Sequence, residues 1–337
     1  MTQNIDKLSS EKTYGRRQLL AHLTGERANL LRQLRGIDEQ TLTTRPVREP
    51  WAVRDILVHL GSWDAFHTER MSLVLNGRIN AIRELGEQDA VDARNADILT
   101  FSRNLTLEQA LAVCLKERSG YLAALMRVPD DLLYQEIEMP WGWRTQMSEW
   151  AAWRHQHDAE HAAELKTWRN ELVQEQTRQI GPIFLLRTIL KATRKEFLSL
   201  VDMIPEAERT TRPVCGVWTM KDLVGHLADW EKVGVDGLRQ LVAGQTPEFD
   251  EVIPDFDTWN NAHAAARRDQ LWDDVWADFE QTRETLLALV DQMQERDWER
   301  PFTAPWDSPI NGYFWVNVWA GHDHEHAIDV RNALGGW

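Results

Sequence analysis

Two histidines four residues apart stand late in each half of this chain, His157 and His161 in the run HDAEH and His322 and His326 in HDHEH. Side chains four apart on a helix share one face, so each pair can present two imidazoles to the same ion. A third histidine stands earlier in each half, His59 in WAVRDILVHLGSW and His226 in WTMKDLVGHLADW. Three neutral imidazoles that leave coordination positions open are the donor set of a catalytic metal site, whereas a closed four-ligand shell serves structure. Glu160 and Glu325, next to the second histidine of each pair, are candidates for the accompanying base, and Asp158 for orienting an imidazole. Such acids also occur as a plain solvated helix face. Asp55 and Asp222, one turn before the lone histidines, have a competing role as first-turn acids that stabilise a helix start.

The histidines recur because the chain is written twice. His226 follows His59 by 167 residues and His322 follows His157 by 165, so one unit has been duplicated with almost no net insertion. Six of the eleven histidines fall at matched positions. Duplication copies every residue, so a matched pair alone is what inherited core or surface histidines would also look like; the lone third histidine in both copies tips the reading toward metal. HxxEH also fits the inverted zincin pattern, but that chemistry needs an acidic third ligand and a peptide-binding strand, and neither is evident.

Apolar residues recur at helical spacing in four blocks per half, with no period-two run, which predicts an all-α fold of two tandem four-helix bundles. The expected helices lie near 14–36, 52–77, 106–128 and 146–172, and again near 180–203, 219–245, 268–293 and 313–334. Leu20, Leu23, Leu30, Leu31 and Leu34 form a core stripe in the first copy, and Phe197, Leu198 and Val201 in the second. Long connections, roughly 78–105 and 246–267, predict a crossover between the second and third helices of each bundle. Asn95 and Asn260 match within it, where an asparagine most often caps a turn. The expected domains are 1–173 and 174–337, joined where Gly181 and Pro182 interrupt a polar run.

Seventeen tryptophans are unusual. Trp51, Trp63, Trp141 and Trp150 correspond to Trp218, Trp230, Trp306 and Trp315; at helical spacing these are mostly core, with some left to wall an apolar pocket beside the ion. A net charge of −15 without a basic, aromatic-interleaved cluster argues against nucleic acid. Two unmatched cysteines, Cys114 and Cys215, make no disulfide framework. The start of the chain has no signal-like pattern and no stretch is long enough to span a bilayer, so the expected setting is cytoplasmic, without a membrane.

On these residues the chain resembles the DinB-like superfamily of four-helix bundles, in which a histidine of helix two and a pair on helix four hold a divalent metal. The run W(x)3D(x)3HLxxW with a later HxxEH is similar to the ClbS/DfsB branch, whose name-giving member is a cyclopropane hydrolase that protects its producer from a genotoxic metabolite. Other branches are transferases using bacillithiol, mycothiol or glutathione, and mycothiol-dependent maleylpyruvate isomerases. The resemblance implies two metal sets, His59, His157 and His161 and then His226, His322 and His326. It implies a divalent transition metal, with zinc or nickel ahead of iron or manganese, and leaves room for a low-molecular-weight thiol as co-substrate. Single-bundle members often pair, so the fusion is expected to form an intramolecular pseudo-dimer. Three functions stay open: an enzyme adding water or a thiol to a small electrophilic or toxic molecule, a protein that sequesters such a molecule without turnover, and a metal-free interaction protein.

Overall fold

The computed structural model describes residues 15–85, 88–250 and 252–335. Residues 1–14, on which the reading of the chain start rests, lie outside the described residues. The described residues form two compact units. One comprises the chain through Gln33 and Glu39–Glu171; the other comprises Leu34–Asp38 and the chain from Leu172 onward.

Ten helices of eleven residues or more carry the architecture among the described residues. In the first unit they are α1 (Arg16–Arg32), α2 (Val53–Leu75), α3 (Gln88–Ser102), α4 (Leu107–Arg127) and α5 (Met147–Glu171). The second unit repeats them as α6 (Ile183–Val201), α7 (Met220–Val242), α8 (Phe256–Ala266), α9 (Trp272–Gln292) and α10 (Gly312–Ala333). In each unit the second helix packs most extensively on the one after the crossover, α2 on α4 and α7 on α9, while the first packs on the last, α1 on α5 and α6 on α10. The fold is an all-α tandem of four-helix bundles, with one added helix in each crossover.

Local chemistry sets the starts of the histidine-bearing helices. The Asp55 carboxylate accepts from Ala52 N (2.9 Å) and from Ser102 Oγ (2.6 Å). In the second copy Asp222 accepts from Thr219 N (2.9 Å) while Thr219 Oγ1 accepts from Asp222 N (3.3 Å), which satisfies two otherwise orphaned donors reciprocally. Both aspartates thus fasten helix starts. The prolines of the two TRPV phrases open two-stranded hairpins, Pro46–Arg48 with Trp51–Ala52 and Pro213–Cys215 with Trp218–Thr219. Strands of two or three residues are too short to show a period of two.

The expected stripes lie largely inward: Leu23, Leu30 and Leu31 are buried, as are Phe197 and Val201, whereas Leu20 and Leu198 are half-buried and Leu34 is buried in the second unit. Between the helices of each bundle lies an unexpected feature, a buried network of ions. Arg27 of α1 donates to Asp64 of α2 (3.0 Å) and to Asp158 of α5 (3.0 Å). Arg118 of α4 donates to the same two carboxylates, at 2.9 and 2.7 Å. Each of the four bundle helices supplies one member. The second unit repeats the pattern with Arg194, Glu231, Arg283 and Asp323. A fifth member, Arg154, joins only in the first unit, through Nε to Asp64 (3.0 Å).

The short segment Leu34–Asp38 is tied into the second unit. Gly36 N donates to Tyr313 Oη (3.1 Å), and Gly36 O accepts from Gln179 N (3.2 Å). Gly36 has φ +68°, and a Cβ there would stand 2.8 Å from the carbonyl oxygen of Thr177. Only glycine meets both constraints without strain.

Candidate metal centres

α2 and α5 bring three imidazoles together in the first unit. Nε2 of His157 lies 3.0 Å from Nε2 of His59 and 3.2 Å from Nε2 of His161. α7 and α10 repeat this, with Nε2 of His322 3.0 Å from His226 and 3.1 Å from His326. Each trio has ligand atoms within 4.8 Å of one another. Nitrogens bound at about 2.1 Å to one ion stand about 3.0 to 3.4 Å apart, so the spacing suits a shared divalent ion.

Burial disfavours the charged form of four of these rings. His59 is pushed down to about 3 by burial and then by the His161 and Arg154 charges, and His226 to about 2 by burial and its two histidine neighbours. Burial likewise holds His157 and His322 well below the usual 6.5. Nδ1 of His161 faces the Glu164 carboxylate at 2.8 Å, and Nδ1 of His326 faces Asp329 at 2.9 Å. A carboxylate only accepts, so each Nδ1 carries a proton, and the bond turns each Nε2 toward the cluster.

The two centres differ around this common core. Arg154 Nη1 donates to Nδ1 of His157 at 2.8 Å, which leaves the proton of that neutral ring on Nε2, among the other two nitrogens. That proton must leave before the ring can ligate. Position 319, the counterpart of 154, is Trp319 in α10. The outer carboxylates are also backed differently: Arg48 Nη1 stands 3.6 Å from Glu164, whereas the Cys215 thiol donates to Asp329 at 3.4 Å. Burial and the Asp329 charge push Cys215 up to about 11, so it is a neutral thiol.

Tryptophans surround both clusters. Trp51 and Trp63 set their rings 5.3 and 6.3 Å from His59; Trp218 and Trp230 stand 4.9 and 6.5 Å from His226. Over the second cluster opens a cavity of about 510 Å³ lined by Trp218, Trp230, Phe256 and Trp306 with Arg35, Asn260, Asn317 and Glu325. Trp150 and Trp315, by contrast, are fully buried core. Asn95 and Asn260 do not cap turns. They lie within α3 and α8, and their Oδ1 atoms accept from Trp63 Nε1 (3.2 Å) and Trp230 Nε1 (2.8 Å), holding the indoles beside the histidines.

Of the other candidate residues, Glu160 is exposed on α5, while Glu325 is exposed on α10 and lines the second cavity. Asp158 turns into the ion network, so the carboxylate beside His161 is Glu164. Glu164 and Asp329 escape a search for identical matched residues because one is Glu and the other Asp. Their common offset of 165 residues and their i+3 spacing from His161 and His326 are the signals that identify them.

The family model described as the DinB superfamily matches residues 22–165 and again residues 189–329. The chain belongs to the DinB superfamily. Both DinB matches span a complete histidine trio. No curated protein and no solved structure matches this DinB chain. Among its described residues, no helix is long and apolar enough to cross a membrane.

Proposed function

We propose that the protein is a divalent-metal-dependent enzyme that adds water or a low-molecular-weight thiol to a small electrophilic molecule. The ligand sets would be His59, His157 and His161, and His226, His322 and His326. What carries this reading is the convergence, in both copies, of three Nε2 atoms at ligand spacing, one ring of each trio oriented by an outer carboxylate. The ion would supply Lewis acidity that makes water or a thiol nucleophilic near neutral pH.

The chain's own residues do the rest. The indole walls exclude water and hold an apolar body against the cluster. Glu325, on the cavity wall, takes the nucleophile's proton; Glu160 has that role in the first copy. Asp329 and Glu164 keep the Nδ1 protons of His326 and His161 in place and so fix ring orientation. Removing either hydrogen-bonded charge, as Glu164→Gln or Asp329→Asn, is expected to cut metal affinity of its own centre by roughly 10–100-fold, read by chelator competition.

The reading is tested by elemental mass spectrometry on tag-free protein, then by turnover of an epoxide and of 1-chloro-2,4-dinitrobenzene with and without added thiol. Bound zinc or nickel, with turnover that a chelator abolishes and the same metal restores, supports it. Absence of metal together with no uptake of zinc, nickel, iron or manganese sinks it. Metal-independent tight binding of the electrophile without turnover would favour sequestration.

A further inference from the structure

We propose that the cavity over the second histidine cluster binds a planar organic acid, its conjugated body against the aromatic wall and its anionic group on Arg35. This deepens the reading of that cluster as the working site and rests on it for the reaction, though not for the binding itself.

Three independent observations point to this class. The first is shape and surface. Trp230 and Trp306 have ring centroids 6.0 Å apart, with Phe256 at 5.6 Å from Trp230 and 6.3 Å from Trp306, and the cavity of about 510 Å³ that they border is of ordinary small-molecule size. These rings meet edge to face as one continuous aromatic wall, against which a flat ring packs better than a branched aliphatic body.

The second is charge. Arg35 lies on the cavity wall, on the segment whose backbone Tyr313 and Gln179 hold in place. Its Nη1 comes within 3.8 Å of where a Cβ would sit on Gly321, the residue before His322. The guanidinium therefore stands against the helix right beside the cluster. Position 156, the counterpart in the first copy, is Gln156. A guanidinium at a partly buried wall recognises a carboxylate through charge-assisted hydrogen bonds that an amide cannot replace. Glu325 Oε1 stands 4.0 Å from the same Gly321 point, which disfavours a second negative charge on the ligand.

The third is an unmet acceptor. Asn317 lies one turn before Gly321 on α10 and lines the same cavity, and its Oδ1 is buried without a hydrogen-bond partner among the described residues. A buried acceptor left unmade is costly, so a hydroxyl or N–H on the ligand is the natural complement.

The probes are 6-hydroxy-2-naphthoate and its neutral counterpart 6-hydroxy-2-naphthamide, titrated by calorimetry into the full chain after chelator treatment and again after metal loading. In the metal-free protein the acid is expected to bind at one site per chain at least about tenfold more tightly than the amide. Arg35→Gln should remove that preference by weakening the acid far more than the amide, and Arg35→Lys should keep most of it. Equal binding of acid and amide to the wild type, no binding of either, or an equal loss of both in Arg35→Gln would overturn the proposal. Because these titrations need no metal, a protein that takes up no ion yet prefers the acid through Arg35 refutes the enzyme reading alone. Metal uptake without acid preference refutes this one alone.

Discussion

The double variant His157→Ala, His322→Ala is expected to take bound transition metal from about two equivalents per chain to none, given three protein ligands per centre. These two are the central members of their trios. His157 Nε2 stands within 3.2 Å of both partners, and His322 Nε2 within 3.1 Å. Deleting either leaves only two histidine nitrogens of the trio, on separate helices. The loss should therefore exceed the roughly 10–100-fold penalty for removing an outer partner. Elemental mass spectrometry after dialysis reads the result. Full metal content in the double variant would place the ion elsewhere. The single variants apportion it, since each centre draws its ligands from its own unit.

Asp64→Asn is expected to destabilise the first unit by about 3–5 kcal/mol, because it leaves buried arginines facing a neutral amide. Asp64 is fully buried and accepts from Arg27, Arg118 and Arg154. Burial alone would raise its pKa, but Arg118, Arg154 and Arg27 together hold the carboxyl well below its usual 3.8. The folded pKa is thus depressed, and the unfolded chain binds the proton more readily. Its stabilisation is present above the unfolded value near 4 and is lost as pH falls through the folded one. Urea denaturation at pH 7 measures the loss, and repeating it toward pH 3 should shrink the gap between wild type and variant. An unchanged midpoint at pH 7 would show that the network contributes nothing net.

Sequence periodicity locates the eight bundle helices because their inward aliphatic and aromatic residues recur at helical spacing. It passes over α3, whose residues are mostly polar and of which only Ile98 and Ser102 are buried, so little of a core face is written there. The histidine trios are legible because duplication writes each of them twice. The ion networks escape notice for the opposite reason. Arg27, Asp64, Arg118 and Asp158 look like solvated faces one at a time, and only their counterparts, Arg194, Glu231, Arg283 and Asp323, betray them by recurring at the same offsets as the histidines. A charge kept at an offset shared with a site is a signal that composition does not carry. Arg35 has no such marker, since it lies in the first half of the chain and lines a cavity of the second unit.

That placement bears on how the duplication can be taken apart. Residues 34–38 belong with the second unit although the chain on either side of them belongs to the first. A fragment starting at Leu172 would lack the Gly36 donor to Tyr313 and the guanidinium on its cavity wall, and a fragment ending at Glu171 would keep that segment without its Tyr313 and Gln179 partners. The two copies are therefore alike in plan but not interchangeable in order. A cut at the seam between them would therefore not yield the second copy whole.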